Sequence, residues 1–598
     1  MTAQEERDAR HGRVAVSERD RYWNALKGAY GRLPPGARWV LAVGSADGTR
    51  AVNVIVADSL DDVRRFFDEH TGSLGTTECF ELDAANAVGL PVTVTPEHAD
   101  PRQSPARERG TRSLPPLAHP APSQPRRATR ESSHAARLDA ACLQQRVAEL
   151  LLAYQIPSAQ IGVLHHGVIT DFAVGVRSVA TGEPATTGTI YQLGSMSKTW
   201  TALAFMQLVD EGKAALDKPV RTYLPDFRVA DPATTARLTP RQLLNHTNGI
   251  EEAYGDPGED DDVCERMVAN IADAPQVFPL GETHGYSAAL GYAILARIME
   301  VVDGRRWDDI MRARLLDPLG LTSTSTWRGD LDRARAAAGH VIRSVGEGPI
   351  AAPVPFLPRA YGPGGNLTST AREVLTMASL FLNGGRAPDG TSIISPECIC
   401  EMTESRVPIP DPFMFGRWWG LGLIVCDWGG DTVYAHDGST IGQNARLRIL
   451  PQRNLAITML TNGGPRDRFY REAFNAILAE LGAPAVPDLP EPDPSLAPDV
   501  ARYVGTYERP GVRYEVNAAA GTLRLTLVRD AWQARMSGRP ERTTYSLLPI
   551  DETHFLMPSD DLLEDTQTVA IYDVRDGAAQ YLHTNCRVFP RVGAPRRW

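Results

Sequence analysis

Lysine is scarce in this chain, four of 62 basic residues, and one of the four, Lys198, follows Ser195 by three positions. The pair sits in Tyr191-Gln192-Leu193-Gly194-Ser195-Met196-Ser197-Lys198. Arginine keeps its proton beyond pH ~12 and cannot act as a base, whereas a desolvated lysine can be neutral near pH ~7. At i, i+3 on a helix the two side chains stack on one face, which brings the amine within reach of the hydroxyl. That is the pairing a lysine-activated serine nucleophile needs. Taken alone, the spacing also fits an incidental lysine in a first helical turn.

The elements around the pair favour chemistry. Gly194 is a turn residue, and beyond Lys198 an apolar helix runs through Trp200, Leu203, Phe205, Met206, Leu208 and Val209 to a stop at Glu211-Gly212. Ser195 and Lys198 are thus expected in the first turn of a buried helix, whose N-terminal N–H groups and positive field suit a developing oxyanion. A second element, Gly285-Tyr286-Ser287-Ala288, leads into a helix through Leu290, Ile294, Leu295, Ile298 and Met299. A third, Tyr434-Ala435-His436-Asp437-Gly438-Ser439, follows the strand-like Trp419-Gly420-Leu421-Gly422-Leu423-Ile424-Val425. Gly438 there would let a substrate backbone approach a strand edge closely. Singly, Tyr286 also fits a core aromatic and His436 a structural histidine.

A net charge of -11 excludes a general nucleic-acid binder, which needs concentrated positive charge. No apolar run approaches the ~18–20 residues of a membrane span. The N-terminus, Met1-Thr2-Ala3-Gln4-Glu5-Glu6-Arg7-Asp8, is polar and acidic, and with the scattered, odd number of cysteines (seven) it predicts a cytoplasmic protein with reduced thiols. Cys398-Ile399-Cys400 lacks zinc spacing, and the adjacent His165-His166 would point apart on a strand, so neither a metal ion nor a cofactor is expected.

Two Pro-rich stretches divide the chain. Residues 91–136, with Pro101, Pro105, Pro115 and Pro116 among Arg and Ser, read as a disordered Pro/Arg-rich linker, and residues 483–496 as a shorter acidic one. Residues 1–90 suggest a ferredoxin-like α+β domain: a helix near Arg19 to Tyr30, a hairpin Arg38 to Val43 and Ala51 to Val56 turning at Asp47-Gly48, a helix Asp61 to His70, and a strand around Thr77 to Leu82. Such a unit would serve as a dimerising module. Residues 137–482 alternate helical and strand patterns and hold the candidate chemistry. Residues 497–598, with Leu523 to Val528 and Thr553 to Met557 as examples, are expected as short antiparallel strands of a small β-barrel.

In their order, the three elements resemble the serine β-lactamase and penicillin-binding-protein superfamily, in its class C β-lactamase-like branch of D-aminopeptidases, esterases and acyltransferases. Leu238 to Ile250, Leu316 to Leu321 and Gly362 to Thr370 add to the likeness, and Tyr503-Val504-Gly505-Thr506-Tyr507 resembles the opening of a lipocalin-like domain. The resemblance implies a multidomain α+β chain whose centre is an α/β sandwich, an antiparallel sheet flanked by helices. It also implies a Ser195 acyl-enzyme, Lys198 as general base and Tyr286 as proton relay. His436 would orient Tyr286 or contact a substrate carboxylate, and the N–H groups of Ser195 and Ser439 beside Gly438 would form an oxyanion hole. Relatives usually carry Tyr-x-Asn in the second element, where this chain has Ala288; that departure favours an esterase, amidase or transacylase over a β-lactamase. The expected substrate is a small ester, amide or short peptide, with water, an amine or an alcohol as acyl acceptor. A non-enzymatic binding or sensor protein on the same fold is the remaining alternative.

Overall fold

The computed structural model describes residues 38–44, 51–56, 65 and 139–598, apart from 253–256, 288, 344–346, 465–466, 520, 538, 560–563 and 594–598. The chain divides into two compact units, Met1–Pro115 and Pro116–Trp598. In the first, β1 (Arg38–Gly44) and β2 (Ala51–Val56) pair antiparallel, with a bulge between Trp39 and Leu41. The helices expected near 19–30 and 61–70 (Arg65 apart), the turn at Asp47-Gly48, the strand near 77–82, the linker 91–136 and Ala288 lie outside the described residues.

The second unit is built on an eight-stranded antiparallel sheet. Its strands are β3 (Ser158–His165), β4 (Val168–Gly175), β5 (Val407–Pro408), β6 (Trp418–Trp419), β7 (Ile424–Trp428), β8 (Asp431–Thr440), β9 (Gln443–Leu450) and β10 (Leu455–Thr461). They lie in the order β4-β3-β10-β9-β8-β7-β6-β5. Every residue of β10 is buried, as expected of a central strand covered on both faces. Alternate side chains go to opposite layers. Ile161, Ile457 and Met459 pack with α1 (Ala140–Ala153) and the later helix Asp467–Glu480, while Leu164, Leu447 and Leu460 pack with the buried helices of the other face. Those helices include α2 (Ser197–Asp210), α3 (Leu290–Asp303) and α4 (Ala371–Leu382). Local chemistry sets their ends: Asp139 caps α1, Thr370 caps α4, and Gly304 closes α3 in the left-handed conformation. The α/β sandwich expected from the sequence is the fold observed.

Two local expectations are corrected. The stretch Trp419 to Val425 is not one strand. It breaks between β6 and β7, where Gly422 adopts φ +84° and sits against Ala202 of α2, its carbonyl accepting from Thr199 Oγ1 at 2.8 Å. The His165 and His166 rings do not point apart. Positive φ at His166 (49°) and Gly167 (82°) makes a tight β3–β4 hairpin that brings the ring centroids to 4.3 Å.

After residues 483–496, which contain no helix or strand, eight strands follow one another in sequence order as a nearly closed barrel. They are β11 (Gly505–Arg509), β12 (Val512–Ala519), β13 (Thr522–Arg529), β14 (Arg542–Pro549), β15 (His554–Met557), β16 (Gln567–Arg575), β17 (Ala578–Thr584) and β18 (Arg587–Pro590). Closure comes from Val592 N–H donating to the Thr506 carbonyl at 2.8 Å. The barrel docks onto the sandwich through a buried ion pair, Arg509 with Glu251 at 2.5 Å, and through Thr568 donating to Asp411 at 2.8 Å. An apolar contact joins Phe278 to Val588.

Candidate active site

Ser195 lies in a 3-10 turn, Gly194–Met196, that runs directly into α2. Ser197 fixes this turn by donating to the Gly194 carbonyl at 2.7 Å while accepting from Leu367 N–H at 3.1 Å. Helix α2 is buried on every side from Ser197 to Leu208, so Lys198 in its first turn is fully enclosed while Ser195 keeps some exposure. Lys198 Nζ stands 3.3 Å from Ser195 Oγ and donates to the Gly364 carbonyl at 2.7 Å. Two aromatic faces flank it, Tyr286 at 4.9 Å and Tyr292 at 5.5 Å from nitrogen to ring centroid. Burial lowers its pKa to about 7; Glu252 pulls the value up, and Arg587 pushes it further down. A neutral amine bonded to Gly364 still has its lone pair for the serine proton.

The β8 strand lies against this turn. Gly194 has φ +53°, and a Cβ there would meet Ser439 N at 2.5 Å; a Cβ on Gly438 would meet the Leu193 carbonyl oxygen at 1.8 Å. Gly438 therefore admits the nucleophile turn at close range. Strand β7 pairs with β8 only as far as Ala435, so from His436 to Thr440 one edge of β8 is unpaired among the described residues. Opposite that edge, Ser439 sends its hydroxyl to Asn444 at 2.9 Å.

Tyr286 enters from the loop before α3. Burial drives its phenol pKa up and the Ser195 hydroxyl partly opposes this; the two groups face one another without completing a hydrogen bond. His436 is buried, with Nδ1 2.7 Å from the Asp437 carbonyl, which makes Nδ1 the protonated nitrogen and leaves Nε2 as a bare acceptor. Burial and the neighbouring Lys198 lower its pKa to about 4, so it is uncharged at neutral pH. Asp437 points to the opposite face of β8. Burial alone would raise its pKa, but Arg446 and Arg448 hold it at about 2, Arg448 bonding at 2.5 Å.

Three further residues at the site had no role in the sequence reading. His246 sits at φ +57° with its ring 4.5 Å from that of Tyr286, its Nδ1 accepting from Ser287 N–H at 3.2 Å. It falls inside the family-like stretch Leu238 to Ile250, the only signal that could have flagged it. Trp419 packs between Tyr286 (5.4 Å), His246 (4.8 Å) and His436 (5.5 Å). Arg587 comes from the barrel. The β17–β18 turn carries Asn585 and Cys586 at positive φ, the Cys586 carbonyl accepts from Tyr286 N–H at 2.7 Å, and the Arg587 guanidinium lies 5.8 Å from the Tyr286 ring centroid. Among the described residues there is no group of three His, Cys, Asp or Glu that could hold a metal ion.

The Beta-lactamase family profile matches residues 140–481 of this chain. Penicillin-binding protein 4 of Amycolatopsis lactamdurans is 38% identical over 377 residues, 62% of this chain and 98% of that protein. Esterase EstB of Burkholderia gladioli is 30% identical over 206 residues, 32% of this chain and 51% of the esterase. Among solved structures, SurE is similar with a TM-score of 0.62 and 29% identity over 76% of this chain and 98% of that one. The chain belongs to the β-lactamase family of serine hydrolases.

Proposed function

We propose that this protein cleaves an ester or amide through a Ser195 acyl-enzyme, with Lys198 as general base. The observation that carries the reading is the fully buried Lys198 amine, 3.3 Å from Ser195 Oγ with its pKa lowered to about 7. Ser195 Oγ bonds to the carbonyl carbon as its proton passes to Lys198 Nζ. The tetrahedral oxyanion is held by the backbone N–H groups of Ser195 and Ser439. When the carbonyl re-forms, the bond to the leaving group breaks and Tyr286 Oη supplies that group's proton, replenished from Lys198. Neither His436 Nε2 nor Tyr286 Oη has a hydrogen-bond partner among the described residues, and orienting the phenol is the role proposed for His436. Water then attacks the acyl carbon and gives its proton through Tyr286 to Lys198 Nζ; as the bond from that carbon to Ser195 Oγ breaks, the amine returns the proton to Oγ and the acid leaves. The name of the esterase relative supports ester substrates.

With a nitrophenyl ester, the expected result is a burst of nitrophenolate equal to the enzyme concentration and an acyl mass increase on Ser195. Ser195→Ala abolishes both, and Lys198→Arg slows acylation by roughly 10²–10⁴-fold, the range general-base catalysis spans. Undiminished turnover in Lys198→Arg would overturn the base assignment.

A further inference from the structure

Tyr286 Oη has no hydrogen-bond partner among the described residues, so the residue is held by its backbone and its ring contacts. Three successive N–H groups do the holding. Gly285 donates to the His246 carbonyl at 2.9 Å, Tyr286 to the Cys586 carbonyl at 2.7 Å, and Ser287 to His246 Nδ1 at 3.2 Å. One residue, His246, thus grips the chain on both sides of the tyrosine, with its carbonyl before it and its ring after it. It does so at φ +57°, a left-handed backbone that a non-glycine residue keeps only where the surroundings enforce it; such positions cluster at functional sites. Its ring is fully buried, 4.5 Å from the Tyr286 ring and nearly perpendicular to Trp419 at 4.8 Å. Because Nδ1 accepts from Ser287, the ring proton sits on Nε2. Burial and the neighbouring His284 and Lys198 keep the ring neutral, so Nδ1 stays an acceptor at neutral pH.

We propose that His246 is a positioning residue for Tyr286: by holding the N–H groups of Gly285 and Ser287 it fixes where the phenol oxygen stands, and so how well that phenol protonates the leaving group. This rests on the acyl-enzyme reading above and adds the residue that aims its proton donor. Proton transfer needs the donor within hydrogen-bond reach of the leaving atom, and a displacement of about 1 Å can cost roughly 10²-fold in rate. The demand falls unevenly on substrates. Nitrophenolate departs as an anion and needs no proton, whereas an alkoxide or an amine must be protonated as its bond to the acyl carbon breaks. A displaced phenol therefore slows acylation by an alkyl ester far more than acylation by a nitrophenyl ester. The barrel shares in the same hold through the middle bond of the three, from Tyr286 N–H to the Cys586 carbonyl.

The test uses the full-length protein and two phenylacetyl esters, the nitrophenyl and the ethyl, with kcat/KM reporting acylation. His246→Gly keeps the left-handed backbone and the carbonyl bond but removes Nδ1. It should lower kcat/KM for the ethyl ester by roughly tenfold to hundredfold more than for the nitrophenyl ester. His246→Asn, whose Oδ1 can replace Nδ1 and whose backbone tolerates positive φ, should recover most of that difference. Tyr286→Phe sets the full loss on the ethyl ester, and adding His246→Gly to it should cost nothing further there, as expected of a residue that acts through the phenol. If His246→Gly does not fold, His246→Gln, which carries its acceptor one bond further out, is read in the same way. Equal losses on the two esters, no recovery in His246→Asn, or losses that add in the double variant would mean that His246 only supports the fold and would overturn the proposal. A Tyr286→Phe variant with the wild-type rate on the ethyl ester would overturn it too. Failure of both esters to acylate Ser195 in the wild type would instead strike the acyl-enzyme reading.

Discussion

At the residue scale, the site turns on one amine with and without its proton. Folded Lys198 has a pKa of about 7 against its ordinary 10.5. The base form therefore grows as pH rises through 7, and the rate of Ser195 acylation should climb about tenfold per pH unit below that point and level above it. His436, at about 4, adds no second step between 5 and 8. The same shift acts on stability with a defined sign. Between pH 7 and 10.5 the unfolded chain holds a proton here that the native state has shed, so this group's contribution rises across that window. Its cost is complete below 7. Lys198→Met should accordingly be inactive yet melt higher than wild type at pH 6, by calorimetry. The i, i+3 spacing of Ser195 and Lys198 made this pair legible in sequence. What the spacing could not convey was the enclosure, which comes from Gly364, Tyr286 and Tyr292, residues distant along the chain.

At the element scale, β8 holds the site from behind. His436 faces the reacting groups and Asp437, one residue on, faces the opposite layer, where Arg446 and Arg448 clamp it. Removing that carboxylate leaves two guanidinium groups buried with less counter-charge. Asp437→Ala should cost about 3–5 kcal/mol in urea unfolding, the penalty of breaking a buried ion pair. A change under 1 kcal/mol would show that β8 does not depend on the clamp. Helices α2 and α3 were readable as apolar runs, and the Tyr434 to Ser439 stretch of β8 was readable through its likeness to the family motif. The break between β6 and β7 was not, because Trp419 to Val425 reads as a continuous strand until Gly422 must turn against α2. His246 was hidden for a related reason: a left-handed backbone at a non-glycine residue leaves no periodic trace.

At the scale of the whole molecule, the barrel reaches Tyr286 through the Cys586 carbonyl, which accepts from Tyr286 N–H. Its outline was legible from short alternating segments, whereas its contribution of Arg587 and of the Cys586 carbonyl was not, since docking between domains has no local pattern. The buried Arg509–Glu251 pair ties the two together. Arg509→Ala leaves Glu251 buried and short of its partner, which should weaken docking by about 3–5 kcal/mol. Hydrogen exchange should then rise at Tyr286 and along β17 and β18 while α2 stays protected, with acylation falling in parallel. Unchanged exchange at Tyr286 would show the tie to be dispensable. The composition of the chain also gives the central claim its sharpest test. With only four lysines, protein labelled with ¹³Cε-lysine should give four signals, and the one missing in Lys198→Arg is assigned at once. That signal should titrate with a midpoint of about 7. A midpoint near the ordinary 10.5 would contradict Lys198 as the neutral base of Ser195.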